Sequence, residues 1–68
     1  GVDPSRVVPL ASPFLAAPQP AQRAQACLVI GASGDAGALT SVAPLLDDRD
    51  PVVRLAAAAA ILEGTKAP

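Results

Sequence analysis

The sequence predicts an all-α fold, two helix-pair repeats stacked as a fragment of an α-solenoid. Three observations predict it. Sliding the chain against itself by 31 positions lays Pro13 on Pro44, Leu15 on Leu46, Pro20 on Pro51, Arg23 on Arg54, Ala26 on Ala57 and Ile30 on Ile61. Phe14 on Leu45 and Val8 on Leu39 keep apolar character. Between the prolines, apolar residues recur at helical spacing. Strand signals are poor, because the short Val runs sit among Ala and Pro and no Asn-Gly or Asp-Gly hairpin occurs. A fixed internal period of this length is the mark of a stacked-repeat protein.

The first repeat spans about residues 3–33, the second about 34–64, and 65–68 form a tail. Asp3-Pro4 opens the first helix, which carries Val7, Val8, Leu10, Ala11, Phe14 and Leu15. Residues 16–19 are the turn, and Pro20 opens a second helix that continues through Ile30 and stops at Gly31. Gly34-Asp35 starts the second repeat. Asp35 is a good N-cap for a helix over 36–46, with Ala38, Leu39, Val42, Leu45 and Leu46 as its apolar stripe. Asp47, Asp48, Arg49 and Asp50 make the turn. Asp50 then caps the last helix, with Pro51 at its first position, where the missing N–H does no harm. This helix runs to about Glu63, and Gly64 is expected to stop it in a left-handed conformation. Pro9, Pro13 and Pro44 fall inside the proposed helices, and each is expected to kink its helix by removing one backbone bond and crowding the preceding turn.

Composition excludes several classes of function. With no His and one Cys, neither a His/Cys metal cluster nor a Ser-His-Asp or Cys-His catalytic set can form. One Cys cannot close an internal disulfide; this leans toward the cytoplasm but leaves the compartment unknown. Net charge is −1 with five scattered basic residues, which is no footprint for nucleic acid. The longest apolar run, Leu55 to Leu62, is far short of a membrane span. The chain opens on Gly1 with no signal peptide in view, so its terminus is expected to come from processing or excision. In 68 residues that are 51% apolar, Phe14 is the one aromatic and Ala supplies much of the rest, so the core is thin and a longer parent is expected.

These residues resemble the HEAT-repeat family, in the short bacterial form also found in phycobilisome-lyase-type proteins. Leu45-Leu46, the acidic turn, Asp50-Pro51-Val52-Val53-Arg54, Val8-Pro9-Leu10 and Ile30-Gly31-Ala32-Ser33-Gly34-Asp35 carry the resemblance, which covers nearly the whole chain. Three departures stand out. Gln19 replaces the Asp expected before Pro20, Ser33 stands where a buried Ile or Leu is usual, and Leu62 replaces a glycine, so the last repeat looks terminal or truncated.

The resemblance implies a non-enzymatic protein–protein interaction scaffold without a cofactor. The partner would be a protein or peptide, and the open ends would be covered by adjacent repeats of a longer array, by another domain or by a second copy. The candidate contact residues are Gln22, Arg23, Asp50, Val53 and Arg54, on a groove made by the second helix of each repeat. Arg23 and Arg54 read first as donors between repeats and alternatively as a basic ladder lining that groove. The Asp47, Asp48 and Asp50 cluster reads as caps and solvated charge rather than a calcium loop. Cys27 reads as a small buried apolar residue rather than a reactive thiol. Gly31, Gly34 and Gly37 read as helix stop and turn, since no Lys-Ser or Lys-Thr follows them as in a phosphate loop. The Ala56 to Ala60 run reads as core rather than a membrane-surface or dimer helix. Two further roles stay open: a regulatory or structural appendage of a larger enzyme or transporter, and, by analogy alone, a lyase-like chaperone of a pigment-protein.

Overall fold

The computed structural model describes residues 3–66; Ala67 and Pro68 of the expected tail lie outside the described residues. Its elements are α1 (Pro4–Ala11), a 3-10 segment (Ser12–Ala16), α2 (Pro20–Ser33), a short 3-10 turn (Ala36–Ala38), α3 (Leu39–Val42), a second 3-10 segment (Ala43–Asp47) and α4 (Pro51–Gly64). The period seen in sequence is kept in space. The segments Ser12–Ala16 and Ala43–Asp47, and the helices α2 and α4, lie one repeat of 31 residues apart at both ends.

The prolines set the first half of each repeat. Pro9 is tolerated inside α1, but Pro13 and Pro44 each sit at the second residue of a 3-10 segment. At the expected kinks the chain passes from α to 3-10 helix without an intervening turn, and Ala11, Ser12, Val42 and Ala43 all keep right-handed helical dihedrals. The predicted helix over 36–46 is three short pieces, and the first helix ends at Ala11. Starting a new segment at the proline places its missing N–H where no intrasegment bond is due. Leu10, Phe14 and Leu46, which the stripes assigned to the apolar face, remain exposed.

The second helices are capped unequally. Asp50 has φ −95° and ψ 126°, and its carboxylate accepts from the N–H groups of Val52 and Val53. Gln19 holds nearly the same backbone, φ −85° and ψ 125°, but makes no side-chain cap bond. Gln19→Asp is therefore expected to raise stability by about 0.5–1 kcal/mol. Urea unfolding midpoints of the variant and parent check this; an unchanged or lowered midpoint would mean that the α2 start is held by other means.

Two helix ends differ from expectation. α2 passes through Gly31 and ends at Ser33, and Gly34, at φ 78°, supplies the left-handed stop. α4 runs through Gly64 and is closed by Thr65 at φ −101°, whose hydroxyl donates to the Ile61 carbonyl, so Gly64 is no left-handed stop. Both glycines inside helices serve close approach instead. A Cβ on Gly31 would lie 2.6 Å from the Ala60 Cα, and one on Gly64 would lie 2.8 Å from the Leu39 methyls.

The most extensive packing is α2 against α4. Ala24, Cys27 and Gly31 of α2 meet the Val53, Ala56, Ala57 and Ala60 side of α4, and Val42 and Ile30 complete a fully enclosed centre. Ser33 is buried, and its hydroxyl donates to the Ile30 carbonyl, which lets a polar residue stand at a core position. Small side chains on both helices allow the two backbones to come close, so Ala56, Ala57 and Ala60 of the Ala run are core, whereas Ala59 is exposed.

Candidate functional site

The turn between the repeats is organised by Arg23. Its side chain is 6% exposed, and its Nε and Nη2 donate to the two Asp48 carboxylate oxygens at 2.8 and 3.0 Å. Its Nη1 donates to the carbonyls of Ala17 and Pro18 at 2.8 and 2.9 Å. One guanidinium thus fastens the turn of its own repeat to the turn of the next, in the two-pronged geometry that suits Arg and not Lys. Asp48 also accepts the Asp50 N–H at 2.9 Å. The Arg23 guanidinium, then that N–H, hold the Asp48 carboxyl below the usual carboxylate range. The bond to Asp48 in turn raises Arg23.

Arg54 repeats half of this geometry. Its Nη1 donates to the Asp48 carbonyl at 2.8 Å, the counterpart of the Arg23 bond to Ala17 one repeat earlier. Among the described residues this is its one side-chain bond, and Arg54 is exposed.

The five sequence candidates therefore part company. Val53 is fully buried and belongs to the core; its placement on a groove surface is corrected by the turn of α4 that points it at α2. Arg23 is buried in the joint between repeats, its guanidinium engaged by Asp48, Ala17 and Pro18. Asp50 caps α4. Gln22 and Arg54 remain exposed but lie on different sides of the stack. Gln22 lines a groove of about 270 Å³ with Ala11, Phe14, Gln25, Ala26 and Val29, on the side of α2 away from α4. Arg54 stands by the turn that leads into α4.

Sequence reasoning missed the exposed aliphatics of the second helices. Leu28 of α2 and Val52, Leu55 and Leu62 of α4 all face solvent. By helical spacing they form two sets. Ala21 and Leu28 match Val52 and Ala59 one repeat later, making a continuous free face across both helices. Leu55 and Leu62 lie on the end of the stack, at the positions that Ala24 and Gly31 occupy in α2. The only available signal was the helical angle measured from the core residues, because apolar side chains run almost right round α4.

Among the described residues no three His, Cys, Asp or Glu side chains are placed to hold a metal ion, and no helix is long and apolar enough to cross a membrane. Cys27 is fully buried, and that burial, with the nearby Asp48 charge, pushes its thiol up and away from the reactive thiolate.

Comparison with known proteins agrees with the repeat geometry. A family model described as HEAT repeats matches residues 1–62. No curated protein and no solved structure matches the chain.

Proposed function

We propose, from the premise that the chain belongs to the HEAT-repeat family, that it is a non-enzymatic scaffold in a longer array, holding a protein or peptide partner on the free face of its second helices. The observation that carries this reading is the exposure of Leu28 and Val52, 46% and 63%, on one face that runs from α2 to α4. Isolated exposed aliphatics are ordinary, but here the exposed positions recur one repeat apart, Ala21 with Val52 and Leu28 with Ala59, which is the arrangement a stacked-repeat surface uses to contact a partner along its length. Arg54, at the edge of α4, supplies a cation for an acidic group on the partner. The groove expected around Arg23 and Val53 shifts accordingly to the neighbouring side of the same helices.

A photo-crosslinking residue placed at Leu28, in cells that make the parent protein, tests this. The expected result is a discrete crosslinked polypeptide that disappears when Val52→Arg is added, with helicity retained. Thr40, exposed on the first helix of its repeat, is the control position. Crosslinking from Thr40 equal to that from Leu28, or none from Leu28, would remove the reading.

A further inference from the structure

The joint between the two repeats shows what a like repeat needs on each side, and the two ends of the chain can be compared with it position by position. The α2 side of the joint presents Ala24, Cys27 and Gly31, and the α4 side presents Val53, Ala56, Ala57 and Ala60. The fit is tight enough that a single methyl on Gly31 would strike Ala60 backbone atoms at 2.6 and 2.7 Å. On the open α4 end, the counterparts of Ala24, Cys27 and Gly31 are Leu55, Ala58 and Leu62, of which the two leucines are 70% and 72% exposed. On the open α2 end, the counterparts of Val53, Ala56 and Ala60 are Gln22, Gln25 and Val29. Of the changes at the two ends, Cys27 to Ala58 alone shrinks the side chain, Ala57 is kept as Ala26, and the rest enlarge it; Gln22 and Gln25 bring amides that would be buried.

The polar rung is missing as well. Arg54 holds its own turn through Nη1 as Arg23 does, leaving Nε and Nη2 in the place where Arg23 takes a carboxylate. The counterpart of Asp48 on the open α2 end is Ala17, which has no acceptor in its side chain.

We propose that the two ends of this chain are mismatched by Ala17, Gln25, Val29, Leu55 and Leu62, so that a second copy cannot stack head-to-tail in the register of the internal joint. Each end is apolar enough to attract another copy, and the mismatch keeps the stack from growing into a filament, which is the hazard of any end-to-end contact between identical subunits. This concerns the ends of the stack and is independent of the partner face of Leu28 and Val52.

Restoring each end separately tests it. One variant carries Ala17→Asp, Gln22→Val, Gln25→Ala and Val29→Ala; the other carries Leu55→Ala and Leu62→Gly. Far-UV circular dichroism confirms that both are folded, and sedimentation velocity reads their association. The mixed pair is expected to form a 1:1 complex about ten- to a hundredfold tighter than the parent chain with itself, the range set by relieving overpacking. Arg54→Ala in the second variant should undo most of that gain. If Leu62→Gly unfolds α4, the clearance is moved across the joint by pairing Leu62→Ala with Val29→Gly. A parent chain that self-associates through Arg54 as tightly as the restored pair would overturn the proposal. So would two folded restored pairs that bind no better than the parent.

Discussion

Gly31→Val is expected to abolish the cooperative helical melt of the chain, and Gly31→Ala to lower its stability by about 1–2 kcal/mol. Gly31 lies inside α2, where Ala is intrinsically better than Gly by roughly 1 kcal/mol. An isolated helix would therefore gain from the change. The neighbour decides otherwise. The added Cβ would meet Ala60 at its Cα, carbonyl oxygen and Cβ, at 2.6, 2.7 and 2.8 Å, and two of these atoms are backbone. They cannot rotate away, so α2 and α4 must separate along their whole packed length, at an overpacking cost of roughly 1–3 kcal/mol and more for a branched side chain. A domain of this size is stable by only about 3–10 kcal/mol. The other glycines serve as internal controls. A Cβ on Gly64 would meet the Leu39 methyls at 2.8 Å and its Cγ at 3.2 Å, a side chain that can shift where backbone cannot, so Gly64→Ala should cost less than Gly31→Ala, about 1 kcal/mol or below. Gly34 has open space but a φ of +78°, so Gly34→Ala should cost about 1–2 kcal/mol through backbone strain alone. Thermal melts followed by circular dichroism rank the three. Gly31→Ala as stable as the parent would mean that the helices are not held at this spacing.

That contrast also shows where the sequence was legible. The repeat, the two long helices and the caps at Asp3, Asp35 and Asp50 follow from local rules, because a capping carboxylate, a first-turn proline and an apolar stripe act within a few residues. Gly31 obeyed the same local grammar as a helix stop, yet its role is set by Ala60, on the next repeat, and nothing local announces that. Pro13 and Pro44 were correctly singled out as helix-disturbing, but whether a proline bends a helix or restarts it as a 3-10 segment depends on what the following residues pack against. The candidate site failed for a related reason. Arg23 and Arg54 hold the same place in their repeats and differ in space, since Arg23 has a following turn to bind and Arg54 has none among the described residues. The exposed row of Leu28 and Val52 was hidden because α2 and α4 are apolar on nearly every side, leaving periodicity little contrast to work with.

Asp48→Asn is expected to lower the thermal midpoint at neutral pH on the order of 10 °C, and to remove a stability loss that the parent shows below about pH 4. The argument begins with the buried cation. Arg23 is 6% exposed and is neutralised by one carboxylate that it grips with two bonds. The asparagine amide could still accept the Asp50 N–H, but Arg23 would keep its charge in a closed joint without a counter-ion, which is more damaging than losing the attraction alone. Protonating Asp48 does the same to the parent. Its folded carboxyl lies below the ordinary value because Arg23, first, and the Asp50 N–H stabilise the charged form. The sign follows directly: the unfolded chain binds the proton more readily, so the contribution is complete above the unfolded carboxylate value, near 4, and drains away as pH falls toward the lower folded value. Arg23 itself is raised, so its share is lost only in strong base. Melting the parent and Asp48→Asn from pH 7 to pH 2 should give two curves that converge on the acid side. Parallel curves would show that the pair does not couple the repeats. Arg23→Lys should fall with Asp48→Asn, since an ammonium cannot span both carboxylate oxygens and the Ala17 carbonyl. Arg54→Ala, removing the same side chain where it meets only one exposed carbonyl, should stay within about 3 °C of the parent. Beside the α2–α4 packing, the joint is therefore clamped by one ion pair used once, while Arg54, one repeat later, keeps only its bond to the Asp48 carbonyl among the described residues.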